Sequence, residues 1–586
     1  MSLRNSVAFE NFSYRYKGSV QPALKNVSLE IEKGEFVAIL GRTDAGKSTF
    51  CRALNGIIPH YFGGEIEGRV IVDDVDTRNT TISELARKVG FVFQDPDNQL
   101  FSLEVEDDVA FGPENLALPL EEITRRTDWA LSVTRLEGYR ERAPHTLSGG
   151  QKQEVAIAGV LAMYPDILVL DEPTSQLDPI GTQMIWSTIK DLNQKLGMTV
   201  IISTQDIEEV ARFAERLLVL SNGVVTLDGK VREVFGNVEA MQAQGISPPM
   251  VTQLFSRLSH VIDFNFKLPI TTDEANTRFR QLMAGIPIQS DKGREELMDG
   301  CYATQAPEVN SLIMINDLWH TYPDTKNPAI SGITLGIKRG EMVAIIGQNG
   351  SGKSTVVKHL NGLLKPTRGT VVVDGTDTRT NTVAELSKKV GYVFQNPDNM
   401  LFSENLESEV SFGLKNLGLK EEEIQNRIST VLETMNLVSL RKENPRFFSL
   451  SDRARSAIAS VVAMKPEAII LDEPTTGQDF SEALEIMEFM QKMNRLGNTV
   501  IFVTHNMELV AHYAKRVIVL CEGKVLLDGT PKYVFSRPDT LSKTYLHPPQ
   551  ITCFAQMINE FGIAPDTTSV DEMYEAITKM LLGKRP

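Results

Sequence analysis

Cysteine is scarce. The chain of 586 residues has four, Cys51, Cys301, Cys521 and Cys553, at spacings that match no metal-ligand pattern. That argues against a disulfide scaffold or an iron–sulfur site and predicts free thiols in a reducing compartment. Long apolar runs are missing too. None approaches the roughly 18 residues of a membrane-spanning helix, so any work at a membrane needs spans supplied by other chains. Met1–Asn5 offers no apolar core of the kind a signal peptide carries. Basic charge is in deficit, with 60 Lys and Arg against 76 Asp and Glu, a net charge of −16 and a pI of about 5.2. An acidic chain is a poor candidate for a nucleic-acid binder held by a basic surface. What remains is ordinary globular composition, 42% hydrophobic and 23% charged, at a length that suits several domains of about 150 residues.

The strongest feature present is Gly347-Gln348-Asn349-Gly350-Ser351-Gly352-Lys353-Ser354-Thr355. The apolar run Met342–Ile346 precedes it as a buried strand, and a helical pattern starts near Lys353. Strand, glycine-rich turn and helix make a phosphate site: backbone N–H groups curl around the phosphates, the helix N-terminus adds partial positive charge, Lys353 reaches the outer phosphates and the Ser354 hydroxyl suits Mg²⁺. The same stretch occurs earlier as Gly41-Arg42-Thr43-Asp44-Ala45-Gly46-Lys47-Ser48-Thr49, after Phe36–Leu40. Lys47 and Lys353 are 306 residues apart, and the chain is an internal duplication.

The two copies match in order. Glu10–Tyr16 and Ala23–Leu29, with Asn316–Tyr322 and Ala329–Ile330, alternate as short strands and predict an antiparallel piece ahead of each P-loop. Tyr16 and Tyr322 could stack on an adenine or serve as core aromatics. Beyond the P-loops the offset falls to 301, between Gly68 and Gly369, because Ile57–Gly64 holds a surface insertion that the second copy lacks. Val92–Gln99 is echoed by Val393–Met400. Gln94 and Gln395 end apolar strands, where an amide can meet Mg²⁺ or the attacking water. Charge-rich helices are expected over Leu120–Leu136 and Lys420–Leu437.

Leu147-Ser148-Gly149-Gly150-Gln151 reads as a second anion-binding nest opening a helix. Its expected partner is Leu450–Ala454, offset by 303 and without either glycine. Ile167–Pro173 and Ala468–Pro474 are buried strands ending in paired acids, a costly arrangement unless a cation or polar groups meet them. Asp171 and Asp472 are candidates to hold Mg²⁺; Glu172 and Glu473 to orient or deprotonate a water. Thr199–Gln205 and Thr499–His505 are further strands, with His505 placed to contact a γ-phosphate and Gln205 in its stead in the first copy. Pro248–Thr252 matches Pro548–Thr552 and Asp273–Ala275 matches Asp571–Met573, marking a small tail on each half.

With these residues in sequence order twice, the chain resembles a fused pair of ATP-binding cassette ATPases. The Phe-Gln-x-Pro-Asp-Asn runs, with Ala110–Asn115 behind the first, are similar to the ATPases of energy-coupling-factor importers of cobalt, nickel and vitamins. The resemblance implies an α/β fold: two P-loop NTPase domains in tandem, each with an antiparallel β subdomain, a helical subdomain and a small C-terminal tail. The expected divisions are 1–240 and 311–540 for the cassettes, 241–283 and 541–586 for the tails, and 284–310 for a linker.

The resemblance also implies ATP and Mg²⁺, separate integral membrane subunits as partners, no nucleic acid, a peripheral place on the cytoplasmic face of the cell membrane, and two cassettes paired head to tail within one chain. Each ATP would then touch the P-loop of one cassette and the Ser-Gly-Gly turn of the other. Lys353, Ser354, Gln395, Glu473 and His505 would face Ser148, Gly149, Gly150 and Gln151 as a complete site, with Ser354, Gln395 and Asp472 around the metal. Lys47, Glu172 and Gln205 would face Ser451, Asp452 and Arg453 as a defective one, with Ser48, Gln94 and Asp171 at its metal position. A twin-cassette ATPase acting on ribosomes or nucleic acid is the alternative, and a sugar-importer ATPase a third reading.

Overall fold

The computed structural model describes residues 5–175, 177–284, 311–323, 325 and 327–582. All but the first residue of the expected linker lies outside them. The chain divides into two compact units, Met1–Ser259 with Asp263–Glu274, and His260–Ile262 with Ala275–Pro586.

In the first unit an antiparallel sheet runs in the order Leu24–Glu32, Asn5–Arg15, Glu65–Val72, Val75–Asp76. A second sheet has the order Val224–Lys230, Arg216–Ser221, Phe36–Gly41, Thr199–Ser203, Ile167–Asp171, Val89–Val92. Only its first pair is antiparallel. Phe36–Gly41, Ile167–Asp171 and Thr199–Ser203 are buried throughout, as strands covered on both faces must be. Side chains alternate between two cores: Phe36, Ala38 and Leu40 enter one with the stacked Trp186, while Val37 and Ile39 enter the other with Phe9 and Phe50. Parallel pairing carries the carboxyl ends of these strands to one edge, which is where α/β sheets bind ligands.

The second unit repeats this. Its antiparallel sheet is ordered Ile330–Lys338, Ser311–His320, Arg368–Val373, Thr376–Asp377. Its mixed sheet is ordered Val390–Val393, Ala468–Asp472, Thr499–Val503, Met342–Ile346, Arg516–Cys521, Lys524–Gly529. The expected polar helices are Leu120–Val133 and Glu421–Thr434, each opening on acidic side chains that suit a helix N-terminus.

The helices Gly149–Leu161 and Leu450–Val462 lie directly on the edge strands. A Cβ at Gly90 would sit 2.2 Å from Val160, and one at Gly391 2.3 Å from Val461. Glycine at these two strand positions lets each helix seat against the strand leading to Gln94 or Gln395. Among the described residues no helix is long and apolar enough to cross a membrane.

Candidate nucleotide sites

In the second unit the turn after Met342–Ile346 opens the helix Lys353–Leu360. Gly352 has φ 101° and a Cβ there would lie 2.9 Å from the Ala329 carbonyl, so only glycine lets the loop pass. Lys353 is buried, and its Nζ donates to the carbonyls of Gly347 and Gln348 at 2.8 and 3.0 Å. The loop thus holds its own lysine over the turn. Ser354 Oγ donates to Asp472 Oδ1 at 3.2 Å. Tyr322 OH and Thr355 Oγ1 are 3.1 Å apart, which ties that ring to the end of the loop.

Glu473 stands at the mouth of the strand Ala468–Asp472 with φ 50°, a backbone state that costs a non-glycine residue on the order of 1–3 kcal/mol and recurs at functional sites. Its N–H is held by the Val503 carbonyl at 3.0 Å. Gln395 Nε2 donates to one carboxylate oxygen at 3.0 Å, and His505 Nε2 lies 2.8 Å from the other. Burial acts to raise the Glu473 carboxyl, but His505, with Lys353 and Thr476, outweighs it and holds the group below its ordinary value. Burial and the neighbouring Glu473 push Asp472 the other way, upward. The two neighbouring acids are thus shifted in opposite directions, as titratable groups at functional sites often are.

In the first unit Lys47 Nζ donates to Gly41 O and Arg42 O at 2.9 and 3.1 Å, and stands 3.2 Å from Glu172 Oε1. Ser48 Oγ donates to Asp171 Oδ1 at 3.0 Å, and Tyr16 OH lies 3.1 Å from Thr49 Oγ1. Glu172, at φ 48°, meets Gln94 Nε2 and Gln205 Nε2, both at 3.3 Å. Gln205 thus occupies the place of His505 with a neutral donor. Asp44, exposed, takes φ 60° where Gly350 has 77°; aspartate is among the few side chains that tolerate this region. Its carboxylate sits on a loop built for phosphate, and like charge there opposes anion binding.

The expected partner of the Ser-Gly-Gly turn needs correction. Ser148 caps Gly149–Leu161, its Oγ accepting from Gln151 N while the Gln151 side chain returns to Ser148 N. The residue doing this in the second unit is Ser449, which caps Leu450–Val462 and accepts from Asp452 N. The offset is 301, as in the flanking strands, not 303. Leu450 and Ser451 therefore replace Gly149 and Gly150, and Asp452 replaces Gln151. Ion pairs at the same offset agree: Lys152 meets Asp97 at 2.6 Å and Arg453 meets Asp398 at 2.7 Å. Arg453 is thereby engaged with a carboxylate of its own unit. A cap needs a hydroxyl at one position only, whereas letter matching favoured the wrong Leu-Ser pair.

The sequence profile of the ABC transporter family matches residues 24–175 and 330–476. A protein of Caldanaerobacter subterraneus subsp. tengcongensis, provisionally named an ABC transporter ATP-binding protein, is 38% identical over 97% of this chain and 98% of its own length. The chain belongs to this family. A Methanosarcina mazei ABC transporter ATP-binding protein, also provisionally named, is 40% identical over 97% of the ABC chain described here and 96% of its own. The solved structure of cbiO1 from Clostridium perfringens, described as part of the ABC transporter complex cbiONQ, is 39% identical, covers 44% of this chain and 98% of its own, and has a TM-score of 0.38. The ABC family is one of ATP-binding, ATP-hydrolysing cassettes, and this member carries two in tandem.

Two residues of the ABC sites escape sequence reasoning. Tyr392 OH donates to Asp472 Oδ2 at 2.6 Å, and Ser203 Oγ donates to Asp171 Oδ1 at 2.7 Å. Both lie inside buried strands and read as core. Their counterparts in the opposite unit are Phe91 and Val503, so each aspartate receives a hydroxyl from a different strand. Cys51, Cys521 and Cys553 are free thiols, while Cys301 lies outside the described residues.

Proposed function

We propose that this chain is the ATP-hydrolysing, energy-coupling subunit of an importer of the energy-coupling-factor type, with one competent and one degenerate nucleotide site. The reading rests on the contrast at the glutamates: His505 stands at Glu473 where the neutral Gln205 stands at Glu172, with Gln395 and Gln94 in matching places. In the working assembly the cassettes pair head to tail within one chain. The second P-loop, with Glu473, His505 and Gln395, is completed by Ser148, Gly149 and Gly150. The first P-loop, with Asp44 and Gln205, faces Ser449, Leu450 and Ser451. All the departures then fall on one site, where random decay would scatter them.

Oxygen donors at Ser354, Asp472 and Gln395, and at Ser48, Asp171 and Gln94, fit a small hard cation such as Mg²⁺, which would neutralise phosphate charge when bound. Of this chain's own groups, Lys353 and the P-loop N–H groups grip the phosphates. Glu473 orients and deprotonates the attacking water, and His505 holds Glu473 and reaches toward the departing phosphate. ATP binding draws the cassettes together and hydrolysis releases them. Exposed aromatic pairs downstream of Gln94 and Gln395 support the membrane partner: Phe101 with Phe111 at 4.6 Å, and Phe402 with Phe412 at 4.9 Å, all more than two-fifths exposed.

Steady-state ATPase assays test the asymmetry. Glu473→Gln is expected to remove at least about nine-tenths of turnover, as the loss of a general base worth on the order of a hundredfold or more would, while Glu172→Gln retains most of it. Equal losses would sink the asymmetric reading.

A further inference from the structure

The insertion Ile57–Gly64, which the second cassette lacks, ends against the nucleotide side of the first unit. Tyr14 OH donates to Gly63 O at 2.9 Å, and Arg15 pairs in register with Glu65, so the loop is tied to the strand that leads into Tyr16. Phe62 sits with its ring centroid 5.7 Å from that of Tyr16 at 85°, and Tyr61 braces it edge-on at 5.1 Å. The Arg52 guanidinium lies over the Phe62 ring at 5.6 Å. Tyr16 is in turn fixed to the P-loop by its contact with Thr49. Despite this, Phe62 is 40% and Tyr61 76% exposed. Phe62, partly open to solvent, and the half-buried Tyr16 stand at right angles beside a phosphate-binding turn and form a corner. A flat heteroaromatic can stack on one wall and set its edge against the other. In the second unit the matching loop, Leu363–Pro366, brings no aromatic ring; there His320 Nδ1 lies 3.2 Å from Lys365 O in the place of the Tyr14 contact.

We propose that Phe62, with Tyr16, forms a purine-holding corner confined to the first cassette, which keeps a nucleotide bound at the site that does not turn over. Resting on the reading that the first P-loop takes ATP, the corner offsets through the base what Asp44 and Gln205 cost at the phosphates. Arg52 holds the Phe62 wall in place and adds positive charge on the P-loop helix.

The test uses the full chain carrying Lys353→Ala, so that binding at the first cassette is read by itself. Equilibrium binding of radiolabelled ATP, and its displacement by inorganic tripolyphosphate, are measured with Phe62 native, Phe62→Ala and Phe62→Tyr. Stacking on one aromatic ring predicts that Phe62→Ala weakens ATP at least about fivefold. Tripolyphosphate, which has no base, should keep its affinity within twofold, and Phe62→Tyr should restore ATP. ATP affinity unchanged in Phe62→Ala overturns the proposal, as does a parallel fall for ATP and tripolyphosphate, which would mean the loop supports the P-loop or docks another protein instead. If the chain with Phe62 native binds neither compound, the reading of the first P-loop as an ATP site fails, a result separable from the others.

Discussion

His359 is fully buried on the P-loop helix of the second unit, its Nδ1 2.7 Å from Thr355 O and its Nε2 3.2 Å from His320 Nδ1. Burial, with the neighbouring His320, lowers its pKa to about 4 from 6.5. Between those values the unfolded chain binds a proton that the native state refuses. Stability is therefore full above pH 6.5 and falls as pH drops toward 4. That lowering corresponds to roughly 3 kcal/mol. His359→Leu should flatten that acid limb, checked by urea midpoints at pH 7 and 4.5. An unchanged limb would show that other groups carry it.

At the same scale, Lys47, Lys353, the paired acids and the glutamines were legible because their spacing has one physical use. Tyr392 and Ser203 were not: a hydroxyl inside a strand of valines and isoleucines carries no periodic signal, and only the pairing of strands reveals the carboxylate beside it.

At the scale of elements, the strands of both sheets follow from their apolar runs and alternation, and the P-loop helices from the glycine turns ahead of them. The second copy of the nest was misplaced by two residues because Leu147-Ser148 and Leu450-Ser451 share letters, whereas the structure is governed by which serine closes the helix N-terminus. Removing that hydroxyl separates structure from chemistry. Ser148→Ala and Ser449→Ala should each cost about 1 kcal/mol of stability as lost helix caps. Only Ser148→Ala should also depress ATP turnover, by tenfold or more if it faces the competent P-loop, since one oxyanion-type donor is worth about that or greater. Thermal unfolding and ATPase rates on the same samples read both effects, and equal turnover in the two variants would contradict the assignment.

For the molecule as a whole, the duplication and the two-cassette architecture were readable from repeated motifs, while cargo and partner were not, since no residue of a nucleotide site encodes them. The exposed phenylalanine pairs give the whole-chain test. Phe111→Asp with Phe412→Asp should leave ATPase of the isolated chain within about twofold, surface substitutions being mostly mild. Co-purification with detergent-solubilised membrane subunits should be lost. Retained co-purification would move the docking surface elsewhere.

The crossed supply of hydroxyls to Asp171 and Asp472 has a consequence for how the repeats can change. A recombination event that copied only the strand Val89–Val92 into the second half would put phenylalanine where Tyr392 stood, opposite a valine, and strip the aspartate of one of its two donors. The reverse conversion would bring a third hydroxyl to Asp171, beside those of Ser48 and Ser203. A chimera that keeps each aspartate supplied as it stands must therefore trade both strands together.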